Sequence, residues 1–174
     1  MLKDVVSPYQ QAMMPLLEAL PQEEAMSDLV VQAPASSELL ALCEQVVSDP
    51  ALADQPALRA GLWLYVDALD RSHEISQGLN TPEGSFWHAI MHRREGDFFN
   101  SKYWYHRVGS HHVFESLDIS AGGAGGGTDV SRYDPYTFVD RVEQGDQSTR
   151  GPAPDLVAMQ RLEWLALMRW CAEQ

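Results

Sequence analysis

The segment SFWHAIMHRREGD places Ser85, His88, His92 and Glu95 at steps of three, four and three residues. A helix over this stretch projects all four from one face. Two imidazoles one turn apart can ligate a single metal ion. A carboxylate a turn further on can be a third ligand, or can orient one ring through its other nitrogen. Ala89 follows His88, so the glutamate base of the H-E-x-x-H zinc proteases is missing. Asp70 and His73, three residues apart, offer a complement on the preceding helical segment. If the chain folds back across the short Gly78–Thr81 connection, the two segments pack antiparallel. His73 then faces Ser85 and His88, with His92 one turn further along. Helical bundles build metal sites in this way, from side chains on facing helices. A ferritin-like di-iron centre needs two Glu-x-x-His motifs, and the chain has none.

The local charge supports a site in the same region. All six histidines (His73, His88, His92, His106, His111 and His112) fall within 40 residues. From Arg71 to His112 the chain carries +1, within a total of −13, which leaves −14 elsewhere. A neutral-to-basic island in an acidic protein can attract an anion. The expected function is therefore a small-molecule-binding or enzymatic helical domain with a polar pocket over residues 70–107. His73, His88, His92 and Glu95 would be its acid–base groups, and Arg93, Arg94, Lys102 and Tyr103 would hold a small polar or anionic ligand. One alternative uses the same residues as a metal site: His73, His88, His92 and Asp70 would hold a divalent ion such as zinc, in a metal-binding protein or a metal-assisted hydrolase. The other is a structural or partner-binding module. In that case His73 bonds Asp70, His88 and His92 pack on Trp87, Tyr103 and Trp104, and Arg93 and Arg94 cap a helix C-terminus. Ser85 is the only nucleophile on the histidine face, and no elbow motif supports it.

The elements that must position these residues are helical. The apolar stripe Leu58, Leu62, Val66, Leu69, followed by His73, predicts one long helix from about Pro56 to Gln77, capped by Asp54. Thr81-Pro82-Glu83 is a compact helix start, and Gly96 ends that helix after Glu95. Asp97 or Asn100 caps a further helix, roughly Phe99 to Val108. There Phe99, Tyr103 and His106 share one face and Trp104 and Val108 another, both expected in the core. His111 and His112 read as exposed loop residues. Outside this core block of 56–112, helices are expected over 4–20, from Ser36 or Ser37 to Asp49-Pro50, and from Pro135 through Val142. Residues 21–37 read as a short helix or ordered loop. A final helix over 155–172, apolar nearly all round, is expected to be central. The tract AGGAGGGT, 121–128, reads as a mobile loop and lacks the phosphate-loop pattern. The fold class is all-α: a single domain over 1–174, an irregular bundle of six to eight helices with a Gly-rich loop.

Composition narrows the partners. Hydrophobic residues make up 45% of the 174 residues, enough for one core. The charge of −13 disfavours nucleic acid and anionic membranes. No run of 18 apolar residues and no secretory leader is present, so the expected location is the cytoplasm. Cys43 and Cys171 read as two buried thiols.

The block GSFWHAIMHRREGDFFNSKYWYHRVGSH, Gly84–His111, resembles a family of uncharacterised microbial proteins marked by HAIMHRRE, NSKYW and RVG. GLWLYVDALDRSHEISQ, Gly61–Gln77, resembles the same family, and the two blocks cover about a quarter of the chain. The resemblance singles out His73, His88, His92, Arg93, Arg94, Glu95, Asn100, Lys102, Tyr103 and Trp104 without giving them roles. The family pattern has arginine where this chain has His106, which argues against a metal role there. The Gly-rich tract lies outside the pattern and reads as a local insertion.

Overall fold

The computed structural model describes residues 7–121, 132–146 and 154–174. Among them the chain forms nine α-helices and one short 3-10 turn, with no strand. The helices are α1 Pro8–Ala19, α2 Ser37–Val47, α3 Pro56–Tyr65, α4 Leu69–Ser76 and α5 Pro82–Glu95. They continue as α6 Phe98–Val108, α7 His112–Ala121, α8 Pro135–Asp146 and α9 Pro154–Ala172. None is long and apolar enough to cross a membrane. The all-α bundle is as expected, with more and shorter helices. Of the Gly-rich tract, 122–128 lies outside the described residues.

Several helix starts follow local chemistry. Ser36 caps α2, Thr81 caps α5 and Asp97 caps α6, each through a side-chain oxygen that accepts a backbone N–H. Two starts do not. The residue that caps α3 is Gln55, without a side-chain bond, so Asp54 is not its cap. At α7 the residue in the cap position is His111, not a serine, threonine, asparagine or aspartate. Instead the Nδ1 of His111 accepts the Val113 N–H at 3.2 Å, which explains why this helix escaped the capping pattern. His111 is buried and His112 is the first residue of α7, so the pair is not an exposed loop.

The predicted long helix over 56–77 is two helices. Asp67 takes a left-handed backbone (φ 57°) between them. The Ala68 N–H bonds the Trp63 carbonyl at 2.9 Å and the Asp67 N–H bonds the Leu64 carbonyl at 3.1 Å. This is the Schellman arrangement, with aspartate in the position that glycine usually fills. Arg94 holds it in place. Its Nη1 donates to the Leu64 carbonyl (2.9 Å) and its Nη2 to Asp67 Oδ1 (2.7 Å). The same arrangement ends α5, with the expected glycine: Gly96 has φ 86°, and Gly96 and Asp97 donate to Arg93 and His92.

The innermost helix is α5 rather than α9. Every residue from Gly84 to Arg94 is buried, although the segment is polar. Helix α9 is buried on one side only, through Leu156, Val157, Gln160, Glu163, Trp164, Leu167, Met168 and Cys171. The polar residues of α5 tolerate burial because other helices supply partners for them. Arg93 meets Glu163 of α9 at 2.5 Å and Tyr105 of α6 at 2.7 Å. Glu163 also accepts from the hydroxyls of Tyr105 (2.5 Å) and Tyr133. Residues 21–36 are an ordered connection, tied down where Gln160 and Arg161 donate to the carbonyls of Met26, Asp28 and Ala25. Cys43 and Cys171 are free and buried.

Gly84 shows how closely the turn before α5 packs. A Cβ there would lie 2.3 Å from the Leu79 Cβ and 2.6 Å from the Leu79 carbonyl oxygen. Backbone cannot swing aside as a flexible side chain can. Gly84→Ala is expected to lower stability by about 1–3 kcal/mol, measured as a shift in the urea midpoint.

Candidate metal centre

Helices α4 and α5 pack as neighbours joined by five residues, and this brings three imidazoles together. His73 projects from α4 and His88 and His92 from successive turns of α5. Ring centroids are 4.7 Å apart for His73–His88, 5.7 Å for His73–His92 and 4.7 Å for His88–His92. One ligand nitrogen from each ring lies within 4.8 Å of the others. The expected order, with His88 nearer than His92 to His73, holds.

The surroundings of each ring differ. His92 Nδ1 meets Glu95 Oε1 at 2.6 Å. An ionised carboxylate can only accept here, so Nδ1 carries the proton, and in the neutral ring the lone pair then belongs to Nε2. Asp97 Oδ2 stands 4.0 Å from the same Nδ1, brought there by the Gly96 turn. His88 is 3% exposed and stacks on the indole of Trp104, with centroids 3.9 Å apart and planes at 13°. Burial, reinforced by the neighbouring His92 and His73, pushes its pKa down to about 3. His88 is therefore neutral, the form that ligates metals. Its Nδ1 is buried without a hydrogen-bond partner. His73 is partly exposed and Glu95 exposed, so the cluster is open on their side.

The other predicted residues lie elsewhere. Asp70 is exposed and lines a groove on another flank of α4. The carboxylates beside the imidazoles are Glu95 and Asp97. Arg93 and Arg94 are fully buried and hold Glu163 and Asp67, respectively. Neither is placed to receive a substrate, and neither acts as a simple helix cap. Their residue types looked like anion contacts because their partners are 70 and 27 residues away. Lys102 pairs with Asp140. Tyr103 is exposed at 50% and lies edge-on to Trp104. Phe99, expected in the core, is 83% exposed, and His106 is exposed too. His111 belongs to a separate contact: its Nε2 faces Glu83 at 3.5 Å, and Glu83 also accepts from the Trp170 indole at 2.9 Å.

The expected packing of His88 on Trp104 is present, whereas sequence reasoning missed Asp97 as a second carboxylate beside the cluster. Asp97 was legible as a helix cap and fills that role through Asn100. The chain matches no protein-family model, no curated protein and no solved structure.

Three imidazoles in this arrangement suit one divalent transition ion. Tetrahedral zinc with Zn–N bonds of about 2.0–2.1 Å needs nitrogens about 3.3 Å apart, so the rings close by at most about 1.5 Å, within reach of small side-chain rotations. Glu95 on His92 is the carboxylate–histidine pairing that orients a ligating ring and raises its basicity.

Proposed function

We propose that this protein is a metal-binding protein whose centre is formed by His73, His88 and His92, and that it acts as a metal-assisted hydrolase. The observation that carries this reading is the convergence of three ring nitrogens within 4.8 Å, one ring being a buried, neutral His88 with an unpaired nitrogen. The reading that relies on Arg93, Arg94 and Lys102 as anion contacts has less support, because all three are held by carboxylates of the chain.

Three protein ligands with a fourth position left to water is the arrangement of catalytic rather than structural zinc. When bound, such an ion supplies Lewis acidity and activates water for hydrolysis. The chain's own residues do the rest. Glu95 keeps the proton on His92 Nδ1, Trp104 fixes the plane of His88 and shields it from water, and Tyr103 stands exposed at the rim. The test is elemental analysis of protein purified without a metal-affinity tag. About one equivalent of zinc or a similar ion per chain, lost on dialysis against chelator and regained on addition, is expected. A metal-free protein that takes up no zinc, cobalt or nickel overturns the reading.

A further inference from the structure

A second concave site lies on a different flank of α4. It is a groove of about 670 Å³ between the 31–34 segment, α2, the end of α3 and α4. That volume is in the range of small-molecule sites. Its apolar lining includes Leu40, Trp63 and Leu69. Its charged groups are Glu44, Asp67, Asp70 and Glu74 against Arg71 alone. Asp67 is neutralised by Arg94, and Glu44 by Arg71 at 3.1 Å. Among the described residues Asp70 and Glu74 have no ion-pair partner. They are four residues apart on α4, so their Cβ atoms stand about 6 Å apart on one side of the helix. The chain itself shows which chemistry this surface accepts: the Arg71 guanidinium lies 4.9 Å over the Trp63 ring while bonding Glu44. With Arg71 56% and Glu44 51% exposed, that contact is solvent-accessible, and an incoming group can displace it.

We infer that this groove binds a small organic cation: an ammonium, amidinium or guanidinium group held by Asp70 and Glu74, on an apolar body lying against Trp63 and Leu40. The charge left over after internal pairing is negative, so a neutral or anionic molecule of the same shape gains less or is repelled. The inference does not depend on a metal at the histidine cluster.

Benzamidine, benzamide and benzoate share one apolar body and differ in charge, so they test this on the full chain. Titration by calorimetry, with NMR shifts to locate the site, is expected to show saturable benzamidine binding that perturbs the Trp63 indole. Benzamide should bind about tenfold more weakly or worse, benzoate should not saturate, and added salt should weaken benzamidine. The double variant Asp70→Asn/Glu74→Gln changes two exposed side chains, and its fold is checked by circular dichroism. It should lose about tenfold in benzamidine affinity and leave benzamide unchanged. The inference is overturned if benzamidine shows no binding at millimolar concentration, if it binds no better than benzamide, if its shifts map to His73, His88 and His92, or if the folded double variant binds it as well as the parent.

Discussion

Glu163→Ala is expected to destabilise the protein by about 3–5 kcal/mol, the cost of leaving a buried charge without its partner. Glu163 is fully buried and joins three helices: it accepts from Arg93 of α5 and Tyr105 of α6, and from Tyr133 just before α8. Its removal strands the Arg93 guanidinium, whose Nε already has no hydrogen-bond partner, beneath the Phe138 ring 4.4 Å away. Tyr105 and Tyr133 lose an acceptor as well. Total stabilities of about 5–15 kcal/mol make this a large fraction, so the loss is read from both the melting temperature and the urea midpoint. Arg93→Met/Glu163→Leu should be milder than Glu163→Ala, because both charges leave together and the volume is refilled. A loss below about 1 kcal/mol for Glu163→Ala would mean that the guanidinium reaches water when its partner is gone.

Zinc in thousandfold excess over its dissociation constant is expected to stabilise the parent by about 4 kcal/mol, a rise in melting temperature on the order of 10 °C. His88→Ala should abolish most of this shift, since it removes a ligand from the middle of the cluster. Glu95→Gln should keep the site and lose about 10–100-fold in zinc affinity, because it weakens only the hydrogen bond that orients His92. Without metal, the cost of His88→Ala comes from the lost packing on Trp104, on the order of 1 kcal/mol, rather than from hydrogen bonds. Differential scanning calorimetry with and without zinc separates these effects. Equal zinc shifts in the parent and His88→Ala would place the ion elsewhere.

Much of the helical framework was legible because its causes are local. Thr81, Pro82 and Gly96 bound α5 through capping and backbone geometry set by a few adjacent residues. The spacing of His88 and His92, and the short connection back to His73, likewise follow from helical periodicity and loop length. The sequence by itself therefore determined that these imidazoles share a face and that a neighbouring helix brings a third to them.

Tertiary structure alone decided what surrounds them. Asp67 ends α3 in a position where glycine would be the local signal, because Arg94, 27 residues later, holds its carboxylate and the Leu64 carbonyl. His111 caps α7 with a ring nitrogen that no capping rule names. Arg93 and Arg94 look like substrate contacts in sequence and are buried ties between helices in the fold, since the carboxylates that neutralise them come from distant parts of the chain. Asp70 and Glu95 are both spaced to face the histidines. Asp70 shares α4 with His73 yet lines the groove, and the α5 helix carries Glu95 to His92. Periodicity assigns a residue to a face of its own helix. Which element covers that face, and which charge waits there, depends on contacts between residues far apart in the chain, and those the spacing within one segment does not encode.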